Sequence, residues 1–283
     1  MSISTHSHLN AISFADIADL VAAAGRIISS TGRSLHPTSS LGRIFGNAEA
    51  IGRDWVDGQS QTDIHGILGV WNARRVAEAI VNTQHDAKSC SNLQHMIRNS
   101  IFLSERQISR AKDALWELEL LSVLLSKRIH ARLDEPDIVA DFGRGSQALA
   151  CKKIYSAKSF QDRVKDGVRQ LERHAIPGLI AVNLDDLVPE NHFFAAASTA
   201  QCSDALHAWL RSFCDQHMHR VAGYISSGRC DGVLLTVHVP ADVPGERPRF
   251  RQHSQTLLYA GGYRIDQLER NKAVSAALGA SPG

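Results

Sequence analysis

Apolar residues recur at helical spacing in two segments of the N-terminal part of the chain. Residues 14–28 and 67–83 each place their apolar side chains on one face of a helix. Between them, residues 29–47 are rich in Ser, Gly and Pro, a composition typical of a loop. Residues 1–103 are therefore predicted to form a helical N-terminal region.

A longer and more apolar helix is predicted next, over 104–129. Ser104 is a suitable N-cap, and Gln107 stands three positions later, as in a capping box. Apolar residues cover two sides of this segment, which is typical of a helix buried between layers. Glu117 and Glu119 lie at the two borders of its main apolar stripe.

Strand patterns begin after this helix. Residues 135–142 and 147–155 are joined by a glycine-containing turn, which predicts a β-hairpin. An amphipathic helix is predicted over 157–173, and the uniformly apolar segment 178–184 is typical of a central strand covered on both faces. The order continues with a helix over 203–224 and with strands at 232–240 and 255–261.

This order of elements predicts an α/β fold with a mixed central sheet flanked by helices. Three parts are expected along the chain. They are the helical N-terminal region (1–103), an α/β domain (104–270) and a flexible tail (271–283).

An acid and a lysine fall on neighbouring predicted strands. Asp137 is on the first strand and Lys152 on the second, and Glu117 on the preceding helix is within reach of the same place. Mg²⁺ prefers oxygen ligands, often one or two carboxylates together with water and a substrate phosphate. A nearby lysine balances the negative charge that develops on an attacked phosphate. The three residues therefore predict a metal-dependent phosphodiesterase.

These residues and their order resemble the PD-(D/E)xK nuclease superfamily, which has the restriction-endonuclease-like fold. The matching positions are Glu117 on the helix, Pro136-Asp137 on the first strand and Lys152 on the second. The resemblance covers roughly residues 104–187, with a looser fit to residue 261. It implies a nuclease that acts on DNA, with Asp137, Lys152 and Glu117 as catalytic residues.

The resemblance also implies a cofactor and a further catalytic residue. Mg²⁺ or Mn²⁺ would be bound by Asp137 together with Glu117 or Glu119. Family members often place a glutamine near the active site on the next helix, and Gln170 is the matching residue here. By analogy with stand-alone nucleases that carry a helical extension, a role in bacterial defence or repair is expected.

One position departs from the family pattern. The second acid of the family stands two residues before the lysine, where this chain has Ala150. Three outcomes are open: Glu117 or Glu119 supplies the missing ligand, the carbonyl of Cys151 and water suffice, or the fold binds nucleic acid without cleaving it. A protein-interaction scaffold is a further alternative.

Charge is unevenly distributed although the formal net charge is only +2. From Lys127 to Arg173 there are eleven Lys/Arg and seven Asp/Glu. A local basic excess attracts phosphates even in a nearly neutral protein. Lys153, Lys165 and Arg169 are therefore candidates for nucleic-acid backbone contacts, and solvated helix faces are the alternative interpretation.

The remaining composition bears on location and assembly. Five cysteines, an odd number at wide spacing, suit reduced thiols in a cytoplasm. The first residues lack a secretory pattern, and no stretch reaches the roughly 20 apolar residues of a membrane span. We therefore expect a cytoplasmic protein with no membrane partner, in which the N-terminal helices are a candidate surface for homodimerisation.

Overall fold

The structure is a computed structural model that describes residues 2–3, 13–57, 63–174, 176–189, 193–247, 249–261 and 264–278. The helices of these residues are α1 (Phe14–Ser30), α2 (Ser40–Val56), α3 (Ile64–Thr83), α4 (Ser89–Arg98), α5 (Arg110–Ser126), α6 (Phe160–Leu171), α7 (Thr199–His217), α8 (Val221–Ser226) and α9 (Ile265–Leu278). The strands are β1 (Ser2–Ile3), β2 (His130–Asp134), β3 (Asp137–Asp141), β4 (Ser146–Lys153), β5 (Gly178–Asn183), β6 (Phe194–Ala195), β7 (Gly232–Asp242) and β8 (Phe250–Ala260).

The strands form one mixed sheet in the order β1-β8-β7-β5-β4-β3-β2, and β6 pairs with β7. Strands β2, β3 and β4 form an antiparallel meander, and β4, β5 and β7 run parallel. Strand β8 returns antiparallel beside β7. The predicted α/β class, with a mixed sheet between helices and a helical N-terminal region, is confirmed.

Helices cover both faces of the sheet and enclose two apolar cores. The first core joins α1–α5 and α9 to one face, with Ile17, Leu118 and Ile138 fully buried. The second core joins α6, α7 and α8 to the other face. Because residues of α1–α4 belong to the first core, the predicted boundary at residues 103/104 does not coincide with a break in apolar packing.

The long apolar helix is shorter than its pattern predicts. Helix α5 begins after Ser109, whose side chain accepts a hydrogen bond from the Ala111 N–H, so the predicted cap at Ser104 is wrong. Its C-terminal end is set by Arg128, which has φ of 60° and ends the helix in the left-handed conformation. The indole Nε1 of Trp116 donates to the carbonyl of Ala181 at 3.0 Å and fixes α5 against the centre of the sheet.

The predicted flexible tail is wrong over residues 271–278. These residues continue helix α9, and Val274 and Leu278 are buried in the first core. Asn271 donates to the carbonyl of Asp231 at 2.9 Å, and Arg270 forms an ion pair with the Asp231 carboxylate. Residues 279–283 lie outside the described part of the chain.

Within the described ranges, no helix combines the length and the apolar character needed to cross a bilayer.

Candidate functional site

Strand pairing places Asp137 and Lys152 side by side. Asp137 is the first residue of β3, and the register of β3 with β4 pairs its neighbour Ile138 with Leu149. Because side chains alternate along strands, Asp137 shares a face of the sheet with Ala150 and Lys152. Asp137 Oδ2 accepts a hydrogen bond from the Cys151 N–H at 2.7 Å and lies 3.5 Å from Lys152 Nζ. The same Nζ donates to the Cys151 carbonyl at 2.7 Å.

A groove of about 590 Å³ opens beside this pair, between α4, α5 and the turn from β2 to β3. Glu117 on α5 and Asp137 both line it, so the helix acid and the strand acid face one space. Glu117 Oε2 accepts a hydrogen bond from Asn92 Nδ2 at 2.8 Å. Asn92 belongs to α4, so the N-terminal helices supply one wall of the groove and orient one of its carboxyls.

Burial and a like charge perturb both acids. Burial first, and the charge of Asp137 second, raise the pKa of Glu117 to about 7, although Asn92 and Lys152 oppose the shift. Burial also raises the pKa of Asp137, against the opposing effects of Lys152 and the Cys151 N–H. The two carboxyls are therefore close enough to repel each other, and Lys152 is the cation that partly compensates for them.

A second acid on α5 belongs to the same groove. Asp113 lies one turn before Glu117 and also lines the groove. Its Oδ1 accepts from the Tyr155 hydroxyl at 3.1 Å and lies 3.6 Å from Arg163 Nη2 on α6. Burial raises the pKa of Asp113, whereas Arg163, Tyr155 and more distant lysines lower it.

The sequence interpretation did not identify Asn92, Asp113 and Arg163. A signal for Asp113 existed, because Asp113 and Glu117 are four positions apart and lie on one face of a helix. Asn92 and Arg163 come from other elements, and nothing in the local pattern links them to Asp137.

The close packing of helix α6 explains why an alanine, Ala150, stands where the nuclease family has its second acid. Ala150 is fully buried in the second core, beneath α6. A Cβ on Gly167 of that helix would lie only 3.7 Å from the Ala150 Cβ. The close approach of α6 fills the space above Ala150, so the carboxyls of the groove come from α5, β2, the following turn and β3 rather than from this position on β4.

Two predicted residues, Glu119 and Lys153, join other clusters. Glu119 accepts from Arg75 of α3 through both carboxylate oxygens, at 2.5 and 2.9 Å. Lys153 Nζ lies 2.9 Å from Asp186 Oδ1 and is 4% exposed, which leaves little of it for a nucleic-acid backbone. Neither residue lines the groove that holds Asp137.

The predicted residues of α6 lie away from the groove. Leu171, next to Gln170, packs against Gly178, which pairs with Ala148 on β4. Ala148 precedes Lys152 by four residues, about 13 Å along a strand. The Gln170 Oε1 atom is buried and accepts no hydrogen bond from the described residues.

Lys165 and Arg169 are exposed on the solvent face of the same helix. Arg169 Nη1 lies 3.5 Å from Asp166 Oδ1, three positions earlier on the helix.

The carboxyls of the groove fit a divalent cation in chemical type. Glu117 and Asp137 offer hard oxygen donors, and their mutual repulsion is of the kind that a bound cation relieves. In the part of the chain that the structure describes, no group of three or more His, Cys, Asp or Glu side chains is arranged to hold a metal ion. Glu117 and Asp137 are therefore the candidate protein donors, and water or substrate oxygens would complete the coordination.

The raised pKa of Glu117 predicts a pH-dependent gain of stability when its charge is removed. A carboxyl whose native pKa exceeds its unfolded value stabilises the fold when protonated, and this contribution is lost as pH rises through the native value. Glu117→Gln should therefore raise the free energy of unfolding by about 2–3 kcal/mol at pH 8 and by roughly nothing at pH 4. Urea unfolding of the variant and the natural protein across this range measures the difference.

A control variant separates this effect from a general effect of charge. Glu49 on α2 forms no ion pair with the described residues, so Glu49→Gln should change the free energy of unfolding equally at pH 4 and pH 8. Added Mg²⁺ at pH 8 should stabilise the natural protein more than the Glu117→Gln variant. A stability difference for Glu117→Gln that stays constant with pH would contradict the assignment of a raised pKa.

Comparison with known proteins returns no match for this chain among protein-family models, curated proteins or solved structures.

Proposed function

We propose that the groove binds a phosphodiester of nucleic acid, most directly DNA, and that Glu117, Asp137 and Lys152 hydrolyse it with a divalent metal ion. The observation that carries the proposal is that an acid from α5 and an acid from β3 line one groove, and that a buried lysine from β4 lies 3.5 Å from the second acid. The helix, hairpin, helix and strand follow one another in the order that the resemblance to PD-(D/E)xK nucleases implies.

Asp137 and Glu117 are the residues that would hold Mg²⁺ or Mn²⁺. A bound divalent cation would lower the pKa of a water nucleophile and neutralise charge on the phosphate. Asp137 is oriented for this role, because the Cys151 N–H and Lys152 both fix its Oδ2. Lys152 is the buried cation nearest to the acids and would stabilise negative charge on the attacked phosphate.

Lys88 and Arg110 stand among five acids that line the groove, and they are the candidate contacts for the phosphates of an anionic polymer. Lys88, His95 and Arg110 line the groove together with the acids. Lys88 is paired with Asp134 at 2.6 Å, whereas Arg110 is exposed and forms no ion pair or side-chain hydrogen bond within the described ranges. Arg110 is therefore the residue best placed to neutralise a phosphate at the mouth of the groove.

Arg110→Ala should weaken DNA binding without affecting folding. Each phosphate contact releases condensed counterions, so removing one should reduce the slope of log K against log salt by about 1. Fluorescence anisotropy with a labelled duplex at several salt concentrations, in Ca²⁺ or without metal, measures the slope.

Arg169→Ala is the matched comparison for this measurement. Arg169 is an exposed arginine on the outer face of α6, away from the groove, and its removal should leave the slope unchanged. If Arg169→Ala lowers the slope and Arg110→Ala does not, the solvent face of α6 is the binding surface and the groove is not.

Cleavage itself is tested with the purified protein on linear, circular and single-stranded DNA, with Mg²⁺, Mn²⁺ or chelator. RNA in a parallel reaction distinguishes the two nucleic acids. Metal-dependent cleavage that disappears with chelator supports the proposal. Absence of cleavage on every substrate with either metal rejects it.

The second candidate function is binding of nucleic acid without cleavage, and Ala150 favours it. This buried alanine stands where the family has its second acid, so β4 supplies no carboxyl beside Lys152. Salt-sensitive DNA binding that depends on Arg110, with no cleavage in Mg²⁺ or Mn²⁺, would identify this function.

A further inference from the structure

The most exposed large apolar side chain among the described residues is that of Ile108, which is 80% exposed. Ile108 lies in the segment 99–109 between α4 and α5, two positions before Arg110. Arg110 lines the groove that holds Asp137, so Ile108 is within about 7 Å of a groove residue along the chain. An apolar side chain in water therefore stands beside the cation that is proposed to contact a phosphate.

The backbone that follows Ile108 is fixed by hydrogen bonds. Ser109 is buried, and its N–H donates to the Tyr155 hydroxyl at 3.2 Å. The same hydroxyl lies 3.0 Å from the Ser109 carbonyl oxygen. The Ser109 side chain donates to the carbonyl of Ser100, which ties the end of the loop to its beginning.

The backbone before Ile108 is also anchored. The Arg106 guanidinium donates to the carbonyl of Val188, and the Lys112 ammonium donates to the carbonyl of Glu105. Gln107 and Ile108 are the exposed residues between these anchors and Ser109. Because the loop is already ordered, a partner that covers Ile108 gains the burial of its side chain with little loss of conformational entropy.

The charges around Ile108 are complementary to a polyanion. The exposed residues of the segment 104–110 include two arginines, Arg106 and Arg110, and one acid, Glu105. The exposed amide of Gln107 lies next to Ile108. Proteins that distort DNA often place arginine and glutamine side chains in the minor groove and insert an apolar side chain such as isoleucine between base steps.

We infer that Ile108 is a wedge that enters between adjacent base pairs of a DNA duplex whose phosphates lie at Arg110. The inference rests on the DNA binding in the proposed function and not on cleavage. Insertion of a side chain unstacks one base step, so the bound duplex is locally unwound. Unstacking costs least where pairing is already weak, so the protein prefers duplexes that contain a mismatch.

Unwinding is tested on closed circular DNA relaxed by a topoisomerase that needs no metal, in chelator, with the full chain bound. The natural protein should lower the linking number in proportion to the amount bound, which fluorescence anisotropy measures. Ile108→Ser should lose roughly half or more of this change per bound molecule, because serine is too small and too polar to separate two base pairs. The variant should fold normally, since the side chain that it replaces is exposed.

The preference for weak pairing is tested by anisotropy with two labelled duplexes, one fully paired and one with a single mismatch. The natural protein should bind the mismatched duplex about fivefold more tightly, and Ile108→Ser should bind both equally. The slope of log K against log salt should be the same for Ile108→Ser and the natural protein, because no phosphate contact is lost. Arg110→Ala, in contrast, should reduce that slope.

Ile265→Ser is the matched control, because Ile265 is also an isoleucine and is 77% exposed. Ile265 begins α9 beside the start of β7, where Gln267 donates to the carbonyl of Cys230 at 3.1 Å. Tyr155, which holds the Ile108 loop, follows the end of β4, and β4, β5 and β7 run parallel, so the two isoleucines lie at opposite edges of the sheet. Ile265→Ser should unwind DNA and prefer the mismatch as the natural protein does.

The outcomes separate this inference from the proposed function. Binding of DNA by the natural protein without a change in linking number, or normal unwinding by Ile108→Ser, would overturn the wedge and leave the proposed function in place. An equal loss in Ile265→Ser would overturn it as well, as would an Ile108→Ser variant that only dissociates an oligomer of this chain. No binding of DNA by the natural protein would overturn both.

Discussion

Asp137→Asn is expected to lower the rate of metal-dependent cleavage roughly a thousandfold or more, a change of about 4 kcal/mol in the activation free energy. Asp137 is the acid that contacts Lys152 and the Cys151 N–H directly, so its charge links the proposed metal ligands to the proposed charge-stabilising lysine. An amide keeps the shape of the side chain but loses most of its affinity for a hard cation.

The fold should survive this substitution. Asparagine retains an oxygen that accepts the hydrogen bond from the Cys151 N–H. Burial raises the pKa of Asp137, which means that the charged form is costly to bury. The substitution therefore removes this desolvation cost together with the attraction to Lys152. The rate is measured with saturating linear DNA and Mg²⁺ or Mn²⁺, and circular dichroism checks folding.

Two comparisons decide what a loss of activity means. Asp162→Asn changes an exposed acid on α6 that forms no ion pair within the described residues, and it should cleave at the normal rate. Lys152→Met keeps the apolar stem of the lysine and should lower the rate while leaving DNA binding through Arg110 intact. Cleavage that persists in both Asp137→Asn and Lys152→Met would show that the groove is not the active site.

The elements with the strongest periodicity were predictable from local sequence, and their ends were less so. The α5 pattern identifies the helix, but the cap is Ser109 rather than Ser104, because Ser109 also donates to the carbonyl of Ser100 and orders the preceding loop. The short helix α4 and the strand β2 were missed, and helix α2 (Ser40–Val56) overlaps the segment 29–47 that was predicted to be a loop. A signal for β2 existed, because His130–Asp134 alternates polar and apolar residues, and pairing with β3 stabilises the strand.

For the candidate site, sequence order identified residues whose partners are close along the chain. Asp137 and Lys152 are joined by a hairpin, so their proximity follows from strand pairing alone. The contacts that the Glu119 and Lys153 side chains make depend instead on tertiary packing, which local sequence does not show. Glu119 meets Arg75, 44 positions away, and both Lys152 and Lys153 are buried although alternation predicts that one of them points outward.

Arg75→Met is expected to lower the free energy of unfolding by about 3–5 kcal/mol at pH 8, the largest stability loss predicted for a single substitution in this chain. Arg75 donates to Glu119 and Asp185, and the substitution leaves these two buried carboxylates without their shared cation. Burial raises the pKa of an unpaired carboxyl, so protonation should relieve part of the penalty, and the loss should be smaller at pH 5. Urea unfolding at both pH values measures it, with Arg53→Met, an exposed arginine of α2, as the control. A loss no greater than that of the control, or one that grows from pH 8 to pH 5, would show that the charges of Glu119 and Asp185 do not depend on Arg75.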